Sequence, residues 1–125
     1  MYEITIAKSF SAAHRLKEIG GRCEDLHGHN FKVEVTVTGR ELNEQDLLID
    51  FRELKTWTLE ILEDLDHKYL NDLETFKGVN PSSERLARTI YDRLQFRCRT
   101  SAVTVAKVTV WESENARVSY KGTPA

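Results

Sequence analysis

The chain has 125 residues, enough for one hydrophobic core, and its 18 basic and 20 acidic side chains leave a net charge of −2; neither a broadly basic nucleic-acid surface nor a disordered composition is indicated. Apolar residues make up 40% and charged ones 30%, and no apolar run approaches the roughly 20 residues that a membrane helix requires. The opening MYEITIAKSF does not read as a secretion signal, and two cysteines are too few for a disulfide framework, so a reducing cytoplasm is the expected compartment.

No repeat, low-complexity run or linker divides the sequence, and one continuous domain over residues 1–125 is expected. A first strand is predicted from Tyr2 to Phe10, with Tyr2, Ile4, Ile6 and Phe10 on one face. Phe31, Val33, Val35 and Val37 then alternate with Lys32, Glu34, Thr36 and Thr38, the period-two pattern of a half-buried antiparallel strand. Phe51, Leu54, Thr58, Ile61, Leu62 and Leu65 recur at helical spacing and predict a helix over about residues 51–65. Asn80-Pro81-Ser82-Ser83-Glu84 signals a second helix, with a serine cap and an acidic first turn, whose apolar stripe is Leu86, Ile90, Tyr91 and Leu94.

A β-branched run follows Ser101. Val103 and Val105 share one parity and Val108 and Val110 the other, which calls for a bulge near Ala106-Lys107. A polar turn over residues 112–115 leads into a short last strand through Ala116, Val118 and Tyr120. The order β-β-α-α-β-β implies an α+β fold: an antiparallel sheet with both helices on one face. The opposite face and the sheet edges must meet water or a partner, so a homo-oligomer is expected.

Three of the four histidines, His14, His27 and His29, fall within a 16-residue stretch that also holds Cys23. Residues two apart on a strand point the same way, so His27 and His29 can present their rings to one ion, with Gly28 between them. A His-x-His pair recurs by accident in many proteins. A third histidine, His14, at the far end of the first strand, and a nearby cysteine shift the balance toward a metal. Three neutral imidazoles suit zinc and leave one position open, the pattern of a catalytic site. Cys23 can close that site as a fourth, structural ligand, or act beside it as a nucleophile or base. Cys98 reads as an inert buried thiol.

Asp66-His67 closes the first helix. It is either a simple helix-terminal pair or a carboxylate that fixes the tautomer of an acid–base imidazole. Glu112 is either a solvated turn residue or a carboxylate able to accept two hydrogen bonds from the N–H pair of a pterin or guanine edge.

Phe10-Ser11-Ala12-Ala13-His14, Cys23-x-x-x-His27-Gly28-His29, Ile49-Asp50-Phe51, Leu65-Asp66-His67-x-x-Leu70-Asn71, Asn80-Pro81-Ser82-Ser83-Glu84 and Trp111-Glu112 follow one another along the chain. Together they resemble the 6-pyruvoyl-tetrahydropterin and 6-carboxytetrahydropterin synthase family, from about residue 3 to 120. The resemblance implies the tunnelling fold, whose subunits join sheets into a barrel, with trimers stacking into hexamers and active sites at subunit interfaces. It implies zinc on His14, His27 and His29, a catalytic role for Cys23, a paired acid–base role for Asp66 and His67 contributed from a neighbouring subunit, and pterin anchoring by Glu112. Ser82, Ser83 and Glu84 would help line the pocket. Three residues between the cysteine and His-Gly-His resemble the branch that forms 6-carboxytetrahydropterin in queuosine biosynthesis. The implied substrate is then 7,8-dihydroneopterin triphosphate and the products 6-carboxytetrahydropterin, acetaldehyde and triphosphate. Arg15, Lys17 and Arg22 are candidate partners for the triphosphate, and an ordinary solvated loop is the alternative for them.

Overall fold

A computed structural model describes residues 1–21 and 25–124. Its central feature is a long hairpin. Strand β1 (Tyr2–His14) and strand β2 (His27–Gly39) pair antiparallel over their whole length, from Tyr2 opposite Gly39 to His14 opposite His27. β1 therefore runs four residues beyond the Phe10 boundary predicted from sequence. Ser11 and the two alanines carry no strong strand preference of their own, but continued pairing with residues 28–30 holds them extended.

Helix α1 (Phe51–Glu63) starts at Asp50, whose side chain accepts the Arg52 N–H, and helix α2 (Ser83–Cys98) starts at Ser82, whose hydroxyl accepts the Arg85 N–H. Between them lies a two-residue strand, β3 (Lys68–Tyr69), followed by two single-turn 3-10 helices, Leu70–Asp72 and Glu74–Phe76, none of which the sequence pattern announces. Strands β4 (Thr104–Ser113) and β5 (Ala116–Tyr120) complete a five-stranded sheet of order β3-β1-β2-β4-β5. It is antiparallel throughout except where β3 runs parallel to β1 at Ala12 and Ala13. The predicted bulge is present: Thr36 faces Lys107 and Val37 faces Val105, leaving Ala106 as the extra residue.

Both helices pack on one face of the sheet. Phe10, Phe31, Val33, Val35, Val108 and Val110 meet Leu54, Leu62, Leu86, Ile90 and Leu94 in a single buried cluster. Trp57 joins that cluster, whereas Phe51 at the first turn of α1 is 55% exposed and lines a shallow surface groove with Tyr2, Ile4 and Leu47. Cys98 is buried at the end of α2, and desolvation pushes its thiol pKa up to about 11, so it stays protonated and unreactive near neutral pH. Among the described residues, no helix is long and apolar enough to cross a membrane.

Candidate metal centre and the groove beside it

The alternation that buries Phe31, Val33 and Val35 continues backward along β2 to His29 and His27, which therefore face the helix side of the sheet. On β1 the same parity runs through Ile6, Phe10 and Ala12 to His14, the last residue of the strand. Because His14 stands opposite His27 in the ladder, the three rings converge at one end of the core. Their centroids lie 4.5 to 5.3 Å apart, and His14 and His29 also meet the edge of Phe31.

Glu112 comes to the same place from β4. Trp111 pairs with Arg117 and Ser113 with Ala116, so Glu112 is the extra residue of a second bulge at the strand end. Its Oε1 lies 3.4 Å from Nε2 of both His14 and His29. The candidate ligand atoms of His14, His27, His29 and Glu112 all lie within 4.8 Å of one another.

Two of the imidazoles have their tautomer set by backbone carbonyls. His14 donates Nδ1–H to the Pro81 carbonyl at 2.8 Å, and His27 donates Nδ1–H to the Asp25 carbonyl at 2.7 Å. A carbonyl only accepts, so in each neutral ring Nε2 keeps its lone pair. Nε2 of His14 and of His29 are buried without a hydrogen-bond partner. Burial also lowers the His29 pKa, and the neighbouring His14 and His27 add to this while Glu112 opposes it. Buried lone pairs on neutral rings, aimed at one point, are what a divalent cation of zinc type requires, so the donor set fits the metal expected from the sequence.

Asp66 and His67 sit in the turn after α1, anchored to β1 by two backbone links. Asp66 Oδ1 accepts the Ser11 N–H at 2.9 Å, and the His67 N–H donates to the Ser11 carbonyl at 2.6 Å. Asp66 Oδ2 lies 2.9 Å from His67 Nδ1. The Ser11 N–H, with His67 second, holds the Asp66 carboxyl below its usual range, so it stays ionised at neutral pH. His67 adopts a left-handed backbone with φ of 57°, an uncommon conformation for a side chain with a Cβ. Its ring is largely exposed and shares a shallow groove of about 500 Å³ with His29, lined by residues 11–13, 28–30 and 67–69.

The remaining expectations are placed less centrally. The Ser82 hydroxyl caps α2, Ser83 is buried with no partner for its hydroxyl, and Glu84 is exposed in the first turn. Cys23 and Arg22 lie outside the described residues. Sequence reasoning missed the roles of Asn71, Asn80 and the Pro81 carbonyl. Both asparagines stood in the quoted motifs, but an amide that serves distant backbone has no periodic signature.

Residues 3–123 match the family model described as 6-pyruvoyl tetrahydropterin synthase. The chain is 30% identical over 123 residues to a 6-carboxy-5,6,7,8-tetrahydropterin synthase of Aquifex aeolicus, an alignment spanning 80% of this chain and 76% of that protein. It is 37% identical over 129 residues to the 6-pyruvoyl tetrahydrobiopterin synthase of Homo sapiens, spanning 91% and 87% of the two chains. In fold it is similar to 6-pyruvoyl tetrahydropterin synthase of Caenorhabditis elegans, with a TM-score of 0.84 at 28% identity over 98% of this chain and 96% of that one.

Proposed function

The chain belongs to the 6-pyruvoyl tetrahydropterin synthase family and has its α+β tunnelling fold, and we propose that it is a zinc-dependent 6-carboxy-5,6,7,8-tetrahydropterin synthase. In this reading a single tunnelling-fold domain converts 7,8-dihydroneopterin triphosphate and one water molecule to 6-carboxytetrahydropterin, acetaldehyde and triphosphate. The observation that carries it is the convergence of His14, His27 and His29, with the Nε2 atoms of His14 and His29 buried and unpartnered, beside a groove that also receives His67. The relative from Aquifex aeolicus supports the carboxy product, and so does the three-residue gap between Cys23 and His27-Gly28-His29.

His14, His27 and His29 would hold the ion, and the neutral tautomers set by the Pro81 and Asp25 carbonyls keep those ligands ready. Zinc, when bound, supplies Lewis-acid chemistry toward an oxygen-bearing side chain. His67 moves a proton at Nε2, because Nδ1 is held against the ionised Asp66. That ion pair also stabilises the imidazolium formed when Nε2 takes a proton. Cys23 is assigned the complementary proton transfer on the strength of its motif. Glu112 is assigned the N–H pair of the pterin ring, which its carboxylate can accept in two parallel hydrogen bonds. Ser82, Ser83 and Glu84 are assigned to the rim of the pocket, and Arg15, Lys17 and Arg22 to the triphosphate.

We place the enzyme in the cytoplasm as a homo-oligomer, a trimer or hexamer in which sheet edges join and active sites lie between subunits. The outer edge of β1 before Ser11, which β3 does not cover, and the edge of β5, free among the described residues, support that assembly.

A second reading keeps the substrate and the sites but ends in triphosphate elimination to the pyruvoyl product. The human relative favours it. Incubating the zinc-loaded protein with 7,8-dihydroneopterin triphosphate and reading products by mass spectrometry separates the two. 6-Carboxytetrahydropterin with released acetaldehyde is the expected result. A pyruvoyl product overturns the subtype, and substrate returned unchanged by folded, metallated protein overturns the catalytic reading.

A further inference from the structure

β1 leaves its partner β2 at His14, yet two of the next three residues remain tightly held. Asn71 accepts the Arg15 N–H at Oδ1 and donates from Nδ2 to the Arg15 carbonyl, both at 2.9 Å. Asn80 repeats the arrangement on Lys17, accepting its N–H at 2.8 Å and donating to its carbonyl at 3.0 Å. A carboxamide carries the same donor and acceptor as a strand edge, so each side chain does what a neighbouring strand would do. The register agrees. β3 pairs Ala12 with Lys68 and Ala13 with Tyr69, and Arg15 with residue 71 continues that offset. The chain has by then turned into the Leu70–Asp72 helix, and a side chain stands in for the lost backbone.

The two clamps are not equivalent. Asn80 is followed directly by Pro81, whose carbonyl accepts Nδ1–H from His14. Proline fixes its own φ, so the position of its carbonyl carbon follows closely where Asn80 is pinned. The His14 ring meets Phe31 edge to face, an apolar contact that does not itself distinguish the two ring nitrogens. The Pro81 carbonyl selects the edge, and with it the nitrogen that faces His27, His29 and Glu112.

We propose that Asn80 is a positioning residue for the metal centre: by clamping the Lys17 backbone it holds the Pro81 carbonyl on His14 and so sets the affinity of the histidine cluster for its ion. Asn71 clamps the same segment without that connection. The proposal rests on reading the cluster as a zinc site.

The test compares full-length wild type, Asn80→Ala and Asn71→Ala, which each lose two hydrogen bonds of the same kind. Zinc affinity is read by competition with a chromophoric chelator, ligand geometry by the visible spectrum of the cobalt-loaded protein, and metal-free stability by thermal unfolding. Asn80→Ala is expected to bind zinc about 10- to 100-fold more weakly and to change the cobalt bands, while Asn71→Ala stays close to wild type in both. Should Asn80→Ala not fold, Asn80→Asp, isosteric and still able to accept the Lys17 N–H, takes its place and is expected to show a smaller loss of the same kind. Unchanged zinc affinity in the Asn80 variants overturns the proposal. So does an equal loss in the Asn71 variant matched by an equal loss of metal-free stability, which would make both clamps simple supports of the loop. Wild type that takes up neither zinc nor cobalt would instead remove the metal reading on which the proposal stands.

Discussion

Oε1 of Glu112 lies 3.4 Å from Nε2 of His14, a histidine with no exposed surface. With Nδ1–H committed to Pro81, that nitrogen presents a lone pair to a carboxylate, and His29 presents another at the same distance. Two lone pairs facing an anion are unfavourable until a cation lies among them. Zinc should therefore raise the unfolding temperature and a strong chelator should lower it. The stabilisation should reach about 2.7 kcal/mol at a free zinc concentration near 100 times Kd. His14→Ala should abolish that response, whereas Glu112→Gln should keep it, because three imidazoles remain. A wild-type unfolding temperature indifferent to zinc and to chelator would remove the metal from this site.

Asp66 and His67 should separate activity from folding. His67→Gly removes a Cβ from a left-handed residue, relieving strain of about 1–2 kcal/mol at the cost of a more flexible unfolded chain. Stability should therefore stay within about 1 kcal/mol of wild type, while turnover falls about 10²- to 10⁴-fold with the loss of an acid–base group. Asp66→Asn can still accept the Ser11 N–H but no longer holds the imidazolium, so its turnover should fall as well. Denaturant melts and steady-state rates on the same preparations check both; full turnover in His67→Gly would strip His67 of its assigned role.

Asp50 gives an acid-dependent stability. Its carboxyl is pulled down to about 2, first by the Arg52 side chain and then by the Arg52 N–H that it caps. Since the folded value lies below the ordinary one near 3.8, the contribution is complete above that value and is lost as pH falls through about 2. Arg52 is 90% exposed, so water screens the ion pair and only part of that pull reaches the folding stability. The gap in unfolding temperature between wild type and Asp50→Ala should be widest near neutral pH and shrink steadily below about pH 4. A gap that stays constant down to about pH 2 would contradict this.

Much of the fold was legible because its strands alternate. Val33 through Val37, and the parity break at Ala106, dictate a half-buried strand and a bulge by geometry alone. β3 was not legible: two residues cannot show a period, and Lys68-Tyr69 is extended because Ala12 and Ala13 offer it an edge. Phe51 misled for a related reason. It holds the right helical phase for the core but sits at the first turn, past the end of the apolar surface it would cover. In the site, the imidazoles could be read from spacing and residue type. The carbonyls that orient them could not, since every residue has one and only the folded chain decides which is near. Glu112 was legible as a chemical type, whereas its approach to His14 depends on a bulge in β4 that leaves no mark in the local sequence.

His27 and His29 share their parity with Phe31, Val33 and Val35, so one strand face is oily at one end and metal-seeking at the other. A slip of a single residue between β1 and β2 would bury Lys32 and Glu34 and turn both imidazoles to the opposite side. An ion bound at this cluster would thus act as a proofreader of the hairpin: a misaligned chain offers it no site, and a chain that captures it has already paired its strands correctly. Metal uptake during refolding would then report β1–β2 alignment directly, before any substrate is added.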